Sequence, residues 1–213
     1  MSKASDSIYT MVRESILSGE FEPGARIKEE EIVARCGYSR TPVREALRQL
    51  ASEDYINITA NQGAQVKDWN SGEINDLFEL RALLEGYAAS RAAKIISLEA
   101  LETLDAAILE MDQILEANQP SDEEIEAFLR LNQVIHNTIW KAASSDRVES
   151  MLRLLIEQAV VVRTARNFSH ERLSQSHRHH KEIRQALAVG DAAWAEAIMR
   201  SHIYAAQGDL LGG

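Results

Sequence analysis

The sequence predicts a mainly α-helical chain in two parts, a small unit of three helices closed by two short strands and then an all-helical bundle. Three observations lead there. Apolar residues recur at helical spacing from Ser7 nearly to the end of the chain. Strand-like alternation is confined to Tyr55–Lys67. After Asp68-Trp69-Asn70 the texture changes and no strand signal returns, so a boundary is expected near residue 69, giving domains 1–69 and 70–213.

Each element has its own signal. Ile8, Met11, Val12 and Ile16 give a first helix over Ser7–Ser18, stopped by Gly19. Phe21-Glu22-Pro23-Gly24 is a turn. Glu29–Cys36 reads as a short second helix with Ile32 and Val33 inward, and Gly37-Tyr38 breaks it tightly. A third helix follows to about Glu53, with Pro42 in its first turn and Ser39 or Thr41 as cap. Tyr55–Thr59 and Ala64–Lys67 are strands around an Asn61-Gln62-Gly63 hairpin turn. This order is that of a winged helix-turn-helix. The bundle comprises helices near Ser71–Lys94, Ser97–Ala117, Ser121–Lys141, Asp146–Arg166, Leu173–Val189 and Asp191–Leu210. Most open on a polar cap.

Composition limits the function. A chain of 213 residues that is 45% hydrophobic and 26% charged folds around a sizeable core. It has no apolar run long enough to cross a bilayer and no leader pattern, so a cytoplasmic protein with no membrane association is expected. Cys36 is the single cysteine and reads as a small core residue rather than a redox switch. The net charge of −10 argues against nucleic acid, but the distribution does not. Between Arg35 and Arg48 the charges are Arg35, Arg40, Arg44 and Arg48, opposed only by Glu45. Only a docking face has to meet phosphate.

On the third helix Val43, Ala46, Leu47 and Leu50 form an apolar face, and Arg40, Arg44 and Arg48 form a stripe beside it at i, i+4 and i+8. A guanidinium in the major groove reads guanine O6 and N7 together, a discrimination of roughly 1–3 kcal/mol per good pair. Ser39, Thr41 and the backbone N–H groups of the helix start suit phosphate, and Gly63 lets the wing come close to DNA. The alternative is a merely solvated basic face. The segment Ser39-Arg40-Thr41-Pro42-Val43-Arg44-Glu45-Ala46-Leu47-Arg48, with Phe21-Glu22-Pro23-Gly24 before it, resembles the hallmark of GntR-family winged helices over residues 7–67. The resemblance implies operator contacts from Ser39, Arg40, Thr41, Arg44 and Gly63, with Arg48 in the same stripe. It also implies a homodimer on a palindromic double-stranded site. Cys36 departs from the larger aliphatic residue usual there.

The bundle carries a second constellation. His136, His180 and His202 each lie on the apolar face of a different helix, and Asn132 shares the face of His136 one turn earlier. Imidazoles converging inside a bundle suit a divalent metal, whereas a lone inward histidine is more often a hydrogen-bonded core residue. Arg81-Ala82-Leu83-Leu84-Glu85, Asn132 with His136, His180-Lys181-Glu182-Ile183 and His202 resemble the FadR C-terminal (FCD) domain over about residues 72–205. That implies a zinc or nickel ion on Asn132, His136, His180 and His202, with His177 and His179 as rivals of His180. Asn132 stands where aspartate is common. The resemblance further implies a small organic acid as effector, held in part by Arg81, with Arg163 and Arg166 as weaker candidates. Arg81 has an alternative partner in Glu85 at i+4. The 144 residues after position 69 suit the six-helix form of this domain. The expected activity is therefore transcriptional regulation rather than catalysis. Two rival readings are a sensor of the metal itself and a metallohydrolase, the latter lacking an H-E-x-x-H motif or a nucleophile motif.

Overall fold

The computed structural model describes residues 2–59, 63–116, 120–156 and 169–211. They form two compact units, one ending at Asn70 and the other beginning at Ser71. Described residues are mostly helical, and none of their helices is long and apolar enough to cross a membrane.

The first unit runs α1 (Lys3–Leu17), β1 (Arg26–Ile27), α2 (Glu29–Cys36), α3 (Arg40–Ser52), β2 (Ile56–Thr59) and β3 (Gly63–Val66). Helix α1 begins ahead of the expected Ser7 because the Ser2 side chain accepts the Ser5 N–H and caps it. Gly37 ends α2 in the left-handed region, with φ 71°, a backbone state that glycine adopts without a Cβ clash. The tight turn it makes brings α3 against α1 with Val43, Ala46, Leu47 and Leu50 buried. Ile8, Val12, Ile16, Ile32 and Tyr55 complete this core, and Cys36 packs partly buried at its edge.

The three strands pair antiparallel in the order β1-β3-β2. Strand β1 was not expected, since two residues are too few to show alternation. Gly63 lies at the start of β3 opposite Thr59, rather than within the turn. Asn61 and Gln62 lie outside the described residues, as do the expected ends of two bundle helices at Ala117 and Arg166. Leu50 is fully buried, so Leu50→Ala is expected to cost about 2–5 kcal/mol of stability through lost burial and a residual cavity. Urea denaturation followed by circular dichroism checks this as a lowered midpoint.

The second unit runs α4 (Ser71–Ala92), α5 (Leu98–Leu115), α6 (Asp122–Ala142), α7 (Asp146–Ile156), α8 (His170–Ala188) and α9 (Ala192–Leu211). Ser97 caps α5, and Ser121 and Glu124 form a reciprocal capping box on α6, which accounts for the acidic start of that helix. Helix α8 starts at His170 instead of Leu173 because Ser169 accepts the Arg172 N–H. Phe78, Leu104, Met111, Phe128, Ile135, Ile139, Ile183 and Met199 form the core. Helices α4 and α9 pack along an extended face of small residues. At Gly86 an added Cβ would lie 2.7 Å from Arg200 Cγ, so glycine is what permits that approach.

Candidate nucleic-acid interface and metal centre

Helix α3 turns its apolar face inward and leaves Ser39, Arg40, Thr41, Arg44 and Arg48 exposed. The three arginines therefore share an open side of the helix. Ser39 occupies the N-cap position without a side-chain capping bond. Two of the arginines have acidic partners on α2, which sequence reasoning did not anticipate. Arg44 Nε donates to both carboxylate oxygens of Glu29 at 2.9 Å. Arg40 Nη2 lies 3.2 Å from Glu30 Oε1.

In the bundle, α6, α8 and α9 bring His136, His180 and His202 together. One ring nitrogen from each lies within 4.8 Å of the others, and all three residues are buried. Nε2 of His136 is 3.1 Å from Nε2 of His202. Burial is the main reason that the His180 and His202 imidazoles sit well below their usual pKa, with the neighbouring histidines adding to it. Both rings are thus neutral near pH 7, the state in which imidazole binds a metal. Among the described residues, neither nitrogen of His180 and not the Nδ1 of His202 has a hydrogen-bond partner. A buried polar atom without a partner costs about 1–3 kcal/mol. A shared cation would take one lone pair from each neutral ring, and nitrogens on one zinc or nickel ion stand about 3 Å apart. The donor set therefore fits such an ion.

The rival histidines are placed differently. His177 Nε2 donates to Asp112 Oδ1 on α5 at 2.8 Å, and Lys181 Nζ reaches the same oxygen at 2.6 Å. His179 is half-buried, its ring centroid 5.9 Å from that of His202. Asn132 is half-buried one turn before His136. Arg163 and Arg166 lie outside the described residues.

Residues 76–205 match the FCD domain, and residues 4–66 match the bacterial regulatory proteins of the gntR family. The chain belongs to the GntR family. Its FCD match spans more than half of its length. The Nta operon transcriptional regulator of Aminobacter aminovorans is 30% identical over 187 residues, 88% of this chain and 85% of that protein. The transcriptional repressor GlaR of Escherichia coli is 25% identical over 202 residues, 92% and 90% of the two chains. Among solved structures, E. coli McbR/YncC superposes with a TM-score of 0.74 at 18% identity, covering 96% and 95% of the chains. A putative GntR regulator from Rhodococcus sp. RHA1 gives 0.74 at 21% identity over 100% and 99%. These two likenesses show the shared fold. As a GntR protein with an FCD domain, the chain is a DNA-binding transcriptional regulator, and its relatives are regulators rather than enzymes.

In this GntR regulator the residue that sequence reasoning underused is Glu85. It is fully buried on α4 and accepts from Arg81 Nε at 3.2 Å and Nη2 at 3.0 Å through Oε1. Its Oε2 accepts from His136 Nδ1. Burial alone would raise the Glu85 carboxyl, but His136 and the Arg81 guanidinium beside it hold it below the usual carboxylate range. Glu85 thus fixes the proton of His136 on Nδ1 and leaves Nε2 with its lone pair toward the other histidines. Arg81 is buried and already engaged, so the i+4 pairing open to it in the sequence is formed.

Proposed function

We infer that operator binding by this regulator is controlled by a small organic acid bound in the FCD bundle at a divalent metal ion, zinc or nickel. His136, His180 and His202 would hold the ion, with Asn132 offering an amide oxygen. The observation that carries this reading is the convergence of three buried imidazoles from three helices, one of them with no hydrogen-bond partner for either nitrogen among the described residues. When bound, such an ion supplies a Lewis-acidic centre with positions left for an effector carboxylate. Neutral His180 and His202 present lone pairs, and Glu85 orients His136. An effector carboxylate at Arg81 would share that guanidinium with Glu85. One relative, from Bacillus subtilis and 33% identical over 151 residues, is named as the gluconate operon repressor, and gluconate is an organic acid. To act as a switch, the effector must bind the two operator-affinity states unequally.

The test uses purified full-length chain. Elemental analysis and native mass spectrometry should report one metal per chain and any co-purified acid. Operator affinity is then measured on a duplex selected from random sequence by the protein itself. Metal-stripped and zinc-loaded protein are compared, each with a panel of hydroxy- and dicarboxylic acids. A change needing both zinc and an acid supports the reading. A change with zinc alone makes the metal the signal. Protein that neither holds nor binds a divalent ion ends it. Glu85→Ala is expected to weaken zinc binding about 10- to 100-fold, as loss of an orienting partner of a metal-bound histidine does. Glu85→Gln, which can still accept from His136 Nδ1, should fall closer to wild type. Competition against a chromophoric chelator reads both.

The reading includes a cytoplasmic homodimer on a palindromic duplex. Leu80, Leu83 and Tyr87 line one side of α4 at exposures of 49%, 52% and 47%, an apolar stripe that suits a second copy. Leu83→Glu is expected to convert a dimer mass to a monomer mass in native mass spectrometry.

A further inference from the structure

We propose that Glu29 and Glu30 are built-in counter-ions that mask the DNA-facing arginines against non-specific duplex and yield them only to a matching site. This rests on the assignment of Arg40 and Arg44 to the DNA face. Three acidic residues, Glu29, Glu30 and Glu31, form the first turn of α2. Two of them face the arginine stripe across the turn at Gly37. Glu29 grips Arg44 through Nε with both carboxylate oxygens, and Glu30 meets Arg40. Arg48, the last member of the stripe, makes no ion pair among the described residues.

The consequence is electrostatic. Non-specific binding comes almost wholly from cations neutralising phosphate, with each such contact adding about 0.9 to the slope of log K against log salt. An arginine that stays with its carboxylate contributes no net charge to that process. The carboxylate also faces the incoming phosphates and repels them. Exposed ion pairs are weak, with side-chain exposures here of 54% and 29% for Arg44 and Glu29, and 60% and 67% for Arg40 and Glu30. A well-aligned base edge or phosphate can therefore outcompete them, and a randomly placed phosphate gains little by doing so. The mask lowers the affinity for arbitrary sequence more than for the operator, which raises the specificity ratio. For Arg44 the geometry adds a second benefit. Being held by Nε leaves the terminal nitrogens, the fork that spans guanine O6 and N7, outside the pair.

The experiment measures fluorescence-anisotropy binding of a random-sequence duplex and of the selected duplex across salt, using full-length protein. Glu29→Gln/Glu30→Gln is expected to bind random duplex roughly five- to twentyfold tighter at low salt, with the slope steeper by about one to two. Its preference for the selected duplex should shrink. Glu31→Gln, set against Glu29→Gln alone, is the control, because each removes one charge from the same turn but Glu31 makes no ion pair with the stripe among the described residues. An unchanged slope in the double variant, or an equal gain in Glu31→Gln, overturns the proposal. Arg40→Ala/Arg44→Ala separates the two levels. If that variant binds DNA as wild type does, the DNA-face assignment itself fails. If it loses binding while the glutamine variants change nothing, only the mask fails. Thermal melts confirm that each variant is folded.

Discussion

Replacing His180 with alanine is expected to abolish the stabilisation of this protein by zinc. A ligand present at a hundred times its Kd stabilises the folded state by about 2.7 kcal/mol. For a chain of this size that corresponds to roughly 5–10 °C in Tm. His180 is decisive, because its imidazole is fully buried and neither nitrogen has a hydrogen-bond partner among the described residues. It has no evident work except as a ligand. His177→Ala is the matched control. Its ring lies one turn away on the same helix, but Nε2 is bonded to Asp112, so the zinc-dependent rise in Tm should survive. Differential scanning fluorimetry of metal-stripped protein with and without zinc gives the result. If His180→Ala keeps the full rise, the centre lies elsewhere.

The second large effect is expected at Arg44. Arg44→Ala should weaken binding to the selected duplex by about 5- to 150-fold, the range set by roughly 1–3 kcal/mol for one bidentate base contact. The fold should hold, because the side chain is 54% exposed and lies outside the apolar core. Arg44→Lys should also be impaired, since an ammonium cannot span two acceptors in one plane. Wild-type affinity in the alanine variant, measured in parallel with an unchanged melting curve, would remove Arg44 from the interface.

Local signals carried much of this architecture. Helix α2 was expected at Glu29–Cys36 and has those bounds, because an acidic first turn and a terminal glycine mark both ends. The inward faces of α6, α8 and α9 followed from helical spacing, and with them the candidate histidines. What stayed hidden is tertiary. Glu85 was visible as the neighbour of Arg81 on one helix, but its other oxygen meets His136, which is 51 positions away. The partner of His177 is 65 positions away on α5, and it separates that ring from His180 more clearly than any motif. The pairing of Arg44 with Glu29 likewise crosses a turn between two helices. Strand β1 is too short to leave a periodic trace.

Gly86 has a consequence beyond close packing. Its neighbour Glu85 steers His136, and Arg200, the side chain lying over it, is two residues from His202. A residue with no side chain therefore leaves room for Arg200 between the turn of α4 that bears Glu85 and the turn of α9 that bears His202. Ligand geometry tolerates displacements of only about 0.5 Å. A methyl group at position 86 would press on the Arg200 side chain, which would have to move aside for the two helices to keep their spacing.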